Sequence, residues 1–140
     1  MPKKRKTTEL EVVTPEGVAY SQKIIALEAP AMDGLIGIWP RHAPLVTALK
    51  TGVLQVQTQD DNLPIPVSDG FMEVTPEEIK IVVRTAEHPE EIDVERAKNA
   101  RERAEERLSS DSEQIDFARA EAALERALAR LEAVERHQGL

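Results

Sequence analysis

The sequence has 140 residues, which is enough for one ordinary domain or for a small domain with an appendage. It contains no cysteine, which excludes disulfides, thiolate metal sites and a cysteine nucleophile, and its net charge of −8 argues against a nucleic-acid partner. No apolar run approaches the roughly 20 residues that a membrane span requires, so direct insertion into a membrane is not predicted.

The chain begins with a basic segment, residues 3–6, that has no apolar segment behind it. A secretory signal is therefore not predicted. We expect residues 1–7 to form a flexible, solvated tail. Contact of this tail with nucleic acid or with a membrane surface is the alternative.

Residues 1–88 have the pattern of a small β domain. The segments rich in Val and Ile, and partly alternating, are 10–14, 23–29, 52–58, 65–68, 71–75 and 79–85. Turn residues separate them, and no helix of crossover length is predicted between them, so a parallel sheet is not predicted. Short strands at this spacing favour an antiparallel β-sandwich, and we expect Phe71 and Met72 in its core.

The composition changes near residue 90. All nine prolines lie at or before Pro89, and residues 90–138 contain neither proline nor glycine. Apolar residues recur every three or four positions in two segments, about 92–108 and 113–136, and Asp93 is a candidate N-cap for the first. The predicted fold is therefore mainly β plus α: the sandwich, followed over residues 89–140 by an antiparallel two-helix hairpin.

The apolar seam of this hairpin is thin. Much of it is alanine, and burial of a methyl group contributes far less free energy than burial of leucine or phenylalanine. A hairpin of this kind is marginal by itself and needs the sandwich, a partner or a ligand to lie against. We therefore expect the hairpin to have two states, one packed against such a surface and one released from it.

Motifs of an active site are not found. The chain has no glycine-rich phosphate loop, its three histidines lack metal-ligand spacing, and its serines lie outside any nucleophile context. We therefore predict a protein that is not an enzyme and has no metal site.

The arginines of the two helices permit two interpretations. Arg96 and Arg103 lie two turns apart on the first helix, and Arg119, Arg126 and Arg130 recur on the second. Arginine binds phosphate through its planar fork, so a folded hairpin that brings these side chains together could hold a polyanion. In the alternative they are neutralised along exposed helix faces by nearby glutamates, namely Glu95, Glu102, Glu106, Glu121 and Glu125.

Three segments carry a family resemblance. "GIWPRHAPLVTALKTGVL" (37–54), "VSDGFMEV" (67–74) and "IDVERA" (92–97) resemble the epsilon subunit of bacterial F-type ATP synthase, and the similarity runs from about Thr8 to Val134. Trp39 and Arg41 depart from the family pattern, which has an aliphatic residue and a small or polar residue at these positions.

The resemblance implies a non-catalytic rotor subunit of the central stalk. Its sandwich would lie against the gamma subunit and the c-ring, and its hairpin would extend toward the alpha and beta subunits to inhibit ATP hydrolysis. The protein would be peripheral, on the cytoplasmic face of the bacterial cell membrane. Arg41 and His42 would belong to the partner interface, although His42 also fits a turn residue that is hydrogen-bonded to backbone.

The resemblance also implies ATP as a regulatory ligand, with magnesium as a candidate companion ion. Some members of the family bind ATP through an Ile/Leu-Asp-x-x-Arg-Ala motif, which the segment 92–97 matches. The implied site consists of Glu87, Ile92, Asp93, Arg96, Ala97, Arg103, Arg126 and Arg130. The arginines would contact phosphates, and the segment 87–93 would contact adenine. A free-standing nucleotide-binding module and a coiled-coil adaptor remain as alternatives.

Overall fold

The computed structural model of the protein describes residues 6–139. Nine strands precede one short 3₁₀ turn (Pro89–Glu91) and two helices. The strands are β1 (Thr8–Thr14), β2 (Gly17–Ile24), β3 (Ala26–Ala31), β4 (Gly34–Ile38), β5 (Leu45–Leu49), β6 (Gly52–Gln57), β7 (Asn62–Val67), β8 (Gly70–Val74) and β9 (Glu78–Val83). The helices are α1 (Val94–Leu108) and α2 (Phe117–His137).

Most of the predicted tail lies outside the described residues. Only Lys6 and Thr7 of the segment 1–7 belong to the described part of the chain, and both are exposed and without regular structure. The expectation for residues 1–5 therefore stays a prediction.

The strands form one sheet in the order β2-β1-β9-β8-β5-β3-β6-β7, with β4 paired to β3. The sheet folds over a common core. Its first half consists of β2-β1-β9-β8-β5, and its second half consists of β4-β3-β6-β7. The predicted sandwich is confirmed, but β1 and β9 pair in parallel, which the sequence pattern did not indicate. The rest of the sandwich serves as the connection between these two strands, so no crossover helix is needed.

Three strands were missed in the sequence, namely β2, β4 and β5. The side chains of β2 are mostly polar and exposed, and the predicted segment 23–29 is divided at Ile25 between β2 and β3. Because neither face of β2 is buried along most of its length, the strand does not show the alternation by which half-buried strands are recognised.

The core contains the inward-facing side chains of both halves. Leu10, Leu54, Met72 and Ile81 are fully buried there. The expected burial of Met72 is confirmed, whereas that of Phe71 is wrong, since 63% of Phe71 is exposed. Successive residues of a strand point to opposite faces, so these two neighbours cannot share the core.

The hairpin packs on the second half of the sheet through α2, which lies across β6 and β7. A small apolar cluster joins the two parts: Val53 of β6, Ile92 before α1, and Ala133 with Val134 of α2. Arg136 adds a hydrogen bond from Nη1 to Oε1 of Gln55, 3.2 Å long. The apolar contact is therefore limited to a few small side chains.

An aspartate side chain caps the N-terminus of each helix. Oδ1 of Asp93 accepts a hydrogen bond of 3.0 Å from the backbone N–H of Arg96, which confirms the predicted cap. The second helix starts at Phe117, later than the expected residue 113, because Asp116 provides its cap through a bond of 3.1 Å to the N–H of Arg119. Six alanines are buried in the two helices, namely Ala97, Ala104, Ala120, Ala127, Ala129 and Ala133.

Candidate functional site

A cleft of about 700 Å³ opens between the hairpin and the sandwich. Both helices line it, together with the segment 84–87 that follows β9 and the turn between β1 and β2. Its volume lies within the range of roughly 300–1,000 Å³ that is common for small-molecule sites.

The structure brings together most of the residues that the resemblance implies. Seven of the eight line the cleft: Glu87, Asp93, Arg96, Ala97, Arg103, Arg126 and Arg130. Ile92 does not line it. Its side chain is 8% exposed and packs with Val53 and Ala133 in the cluster between hairpin and sandwich. The geometry therefore places Ile92 in the attachment of the hairpin.

A fifth arginine, Arg84, also lines the cleft and was missed in the sequence analysis. It directly follows β9, so its side chain comes from the sandwich, whereas the other four belong to α1 and α2. Helical spacing cannot reveal a residue that reaches the site from another element. The sequence carries no signal that would have identified it.

Only one of the five arginines has an acidic partner in residues 6–139. Nε of Arg130 lies 2.5 Å from Oε1 of Glu87, which joins α2 to the segment after β9. No carboxylate oxygen of the described chain lies within 4.0 Å of the guanidinium nitrogens of the other four, namely Arg84, Arg96, Arg103 and Arg126.

The alternative interpretation, neutralisation by helix-surface glutamates, does not hold for the four unpaired arginines of the cleft within residues 6–139. Glu95 pairs with Lys98 instead. Glu105 pairs with Arg101, which lies four residues before it on α1 and does not line the cleft. The unpaired guanidinium groups face a common space, and each can donate two parallel hydrogen bonds to phosphate or carboxylate oxygens. The arrangement is suited to binding a polyanion.

Acidic groups occupy another part of the same cleft. Glu87, Glu91 and Asp93 lie in the connection between sandwich and α1, and Asp93 uses one carboxylate oxygen for its helix cap. Carboxylates accept hydrogen bonds from amino groups. The acidic part of the cleft can therefore bind an amino group of a ligand, and the arginines can bind its anionic group. A ligand that carries both kinds of group fits the cleft best.

Arg41 and His42 are not among the residues that line the cleft. Both belong to the turn between β4 and β5, where Arg41 has a left-handed backbone (φ 62°). Nδ1 of His42 is 2.7 Å from the carbonyl oxygen of Ala43, which confirms His42 as a turn residue bonded to backbone. Their place in a partner interface stays a prediction.

A second cleft, of about 750 Å³, is lined by Tyr20, Lys23, Asp60, Asp61 and His88, among others. Burial raises the pKa of Tyr20, and the nearby charge of Asp61 raises it further. The charged side chains of this cleft are few and of both signs, so the arginine cleft is the better candidate site. Within residues 6–139, no helix is both long and apolar enough to cross a membrane.

Comparison with known proteins adds independent observations. Residues 7–89 match the family model "ATP synthase, Delta/Epsilon chain, beta-sandwich domain", and residues 90–135 match "ATP synthase, Delta/Epsilon chain, long alpha-helix domain". The chain is 52% identical over 105 residues to the ATP synthase epsilon chain of Desulforamulus reducens, covering 75% of this chain and 80% of that one. It is 46% identical over 108 residues to the epsilon chain of Staphylococcus aureus strain Newman, covering 75% and 79%.

Solved structures show the same architecture. A chain in the mitochondrial ATP synthase of Euglena gracilis, resolved with OSCP, F1 and the c-ring, superposes with a TM-score of 0.78 at 25% identity, covering 91% of this chain and 80% of that one. A chain in the central stalk and c-ring of the Tetrahymena thermophila mitochondrial enzyme superposes with a TM-score of 0.57 at 13% identity, covering 96% and 98%. The second likeness concerns the fold alone.

Proposed function

The chain belongs to the ATP synthase delta/epsilon family, and from that premise we propose that it is a central-stalk subunit of a bacterial F-type ATP synthase whose hairpin is held closed by bound ATP. It catalyses no reaction itself. Its sandwich docks on the gamma subunit and the c-ring, which hold it at the cytoplasmic face of the cell membrane. Its hairpin, when released, extends toward the alpha and beta subunits and inhibits ATP hydrolysis.

One observation carries the nucleotide part of this proposal: four unpaired arginines of the described chain line a single cleft of nucleotide size. Arg96, Arg103 and Arg126 donate to the phosphates, together with Arg130. The acidic segment 87–93 accepts hydrogen bonds from the adenine amino group. Magnesium, where present, accompanies the phosphates.

The site exists only when the hairpin is folded, because its arginines come from both helices. A ligand shifts an equilibrium only by the difference in its affinity for the two states. Reversal of a population from 1:99 to 99:1 takes about 5.5 kcal/mol, and charge-assisted hydrogen bonds contribute about 1.5–3 kcal/mol each. Three or four such bonds are therefore enough before the ordering costs are subtracted.

Loss of ATP leaves four arginines of the closed cleft without an ion-pair partner, which weakens the closed form. The extended hairpin then presents the same arginines to acidic surface on the beta subunit. Phosphate and carboxylate compete for the same guanidinium groups, so high ATP opposes inhibition.

We expect calorimetric titration of the protein with ATP to give saturable binding, both with and without magnesium. An Arg103→Gln, Arg126→Gln double variant should bind at least about a hundredfold more weakly, because two charge-assisted contacts are lost. A matched control, Arg107→Gln with Arg119→Gln, removes the same charge from exposed helix positions outside the cleft and should bind as the wild type does. Absence of binding up to millimolar ATP would disprove the nucleotide site.

The docking part of the proposal is supported by an apolar row on the outer face of the first sheet half. Paired positions bring together the members of this row, Ala48, Phe71, Val82, Val13 and Val18. More than half of Phe71 and of Val18 is exposed. A parallel row of polar side chains, among them Glu73 and Lys80, borders it. Such a patch with a polar rim is typical of a protein interface.

A second surface supports contact with a neighbouring subunit at the turn that holds Arg41 and His42. Trp39 precedes it and is 62% exposed, and tryptophan and arginine are the side chains most enriched at interface hot spots. We assign this turn to the partner interface with the c-ring.

Co-purification with a co-expressed gamma subunit separates a stalk subunit from a free-standing nucleotide-binding module or a coiled-coil adaptor. The wild type should form a stable complex, and Phe71→Glu should weaken it at least about thirtyfold, because a carboxylate would enter the dry centre of the interface. Leu35→Glu changes an equally exposed residue in the other sheet half and should leave this complex intact. Failure of the wild type to bind gamma would favour the alternatives.

A further inference from the structure

We propose that Arg84 of the sandwich is an additional phosphate contact in the cleft, so that the nucleotide fastens the hairpin to the sandwich as well as closing the two helices on each other. This inference rests on the proposed nucleotide site. It assigns a role to a residue that lies outside both helices and outside the Ile-Asp-x-x-Arg-Ala segment.

The backbone beside Arg84 is firmly held. The backbone N–H of Ser68 donates to the carbonyl oxygen of Thr85 at 3.1 Å, and the N–H of Thr85 donates to Oγ of Ser68 at 2.8 Å. Ser68 is 2% exposed, and Ala86 forms a further bridge with Val67. The segment after β9 is therefore fixed to the end of β7, and Arg84 is presented from a rigid part of the sandwich.

The side chain of Arg84 has no structural task that would occupy it. It is exposed, it lines the cleft, and no carboxylate oxygen within residues 6–139 lies within 4.0 Å of its guanidinium nitrogens. Glu87, on the same segment, is already paired with Arg130. Arg84 is therefore available to an anion that enters the cleft.

The charge of Arg84 changes what the ligand stabilises. Without an anion, a sandwich arginine that faces three unpaired hairpin arginines weakens docking of the hairpin, because like charges repel and the carboxylates that line the same cleft offset this only in part. With a polyphosphate between them, the same arginine becomes part of a bridge between the two domains. Bound nucleotide consequently favours the docked hairpin over one that is folded but detached, which is the difference in affinity that a switch requires.

The test is calorimetric titration of the full chain with ATP and with inorganic triphosphate. Arg84→Gln should bind both about tenfold more weakly, since one charge-assisted contact of about 1.5 kcal/mol is lost and 1.4 kcal/mol is a tenfold change. Arg119→Gln, an exposed arginine of α2 outside the cleft, is the matched control and should bind both as the wild type does. The stability of Arg84→Gln in denaturant should be unchanged or slightly higher.

The outcomes separate this inference from the proposed function. If the wild type binds neither probe, both are overturned. If the wild type binds ATP, the Arg103, Arg126 double variant does not, and Arg84→Gln equals the wild type, only the role of Arg84 is overturned. Weaker binding of ATP with unchanged binding of triphosphate would also overturn it, because Arg84 would then not act on phosphate.

Discussion

Replacement of Gly70 by alanine is expected to destabilise the sandwich by about 3 kcal/mol. Gly70 begins β8 and pairs with Val83 of β9. A methyl group at this position would overlap the carbonyl oxygen of Val82 and lie 2.9 Å from Cα of Val83. Both are backbone atoms of a paired strand, so the clash can be relieved only by separating β8 from β9. Denaturant unfolding, followed by circular dichroism, measures the change.

Gly37→Ala is the matched control for this prediction. A methyl group there would meet only the ring of Trp39, at 2.8 Å, and that ring is largely exposed and free to move. We expect its unfolding free energy to stay within about 1 kcal/mol of the wild type. Equal stability of the two variants would show that β8 and β9 tolerate separation, contrary to the close pairing described above.

Ala133→Asp is expected to release the hairpin from a sandwich that stays folded. Ala133 is fully buried against Val53 and Ile92. An unpaired carboxylate at this position costs several kcal/mol, which exceeds what the few apolar contacts of the cluster contribute. Hydrogen exchange should show the amides of α2 losing protection by roughly a hundredfold, while those of the core strands keep theirs.

The control introduces the same charge where it is harmless. Ala118 is exposed in the first turn of α2, where a carboxylate interacts favourably with the helix dipole, so Ala118→Asp should keep or slightly increase protection. Equal protection of α2 in both variants would mean that the contact on β6 and β7 does not hold the hairpin. Under the proposed function, Ala133→Asp should also lower the affinity for ATP, because a released hairpin no longer forms the cleft together with the sandwich.

Much of the fold follows from local signals in the sequence. Alternation of Val and Ile indicated the core strands, and the absence of proline and glycine after Pro89 indicated the helices. The cap at Asp93 was predictable because capping depends on residues three apart in the chain. The start of α2 was placed too early, since Ser112 and Asp116 are both acceptable caps and local chemistry does not choose between them.

The candidate site was predicted in part. The family resemblance implied the cleft arginines of α1 and α2, but Ile92, which belongs to the same motif, packs against Val53 instead. The pairing of Arg130 with Glu87 joins residues 43 apart. No periodicity reports such a contact, because it depends on how α2 lies across β6 and β7.

The sequence by itself determined the two kinds of structure, their order, the thin alanine seam and the arginines that share a helix face. Each of these depends on neighbours within a few turns or strands, where spacing fixes direction. The tertiary structure alone decided that Phe71 faces outward, that β1 pairs in parallel with β9, and that Arg84 joins the helix arginines in one cleft. These features depend on which faces of distant elements meet, and that is set by packing across the whole chain.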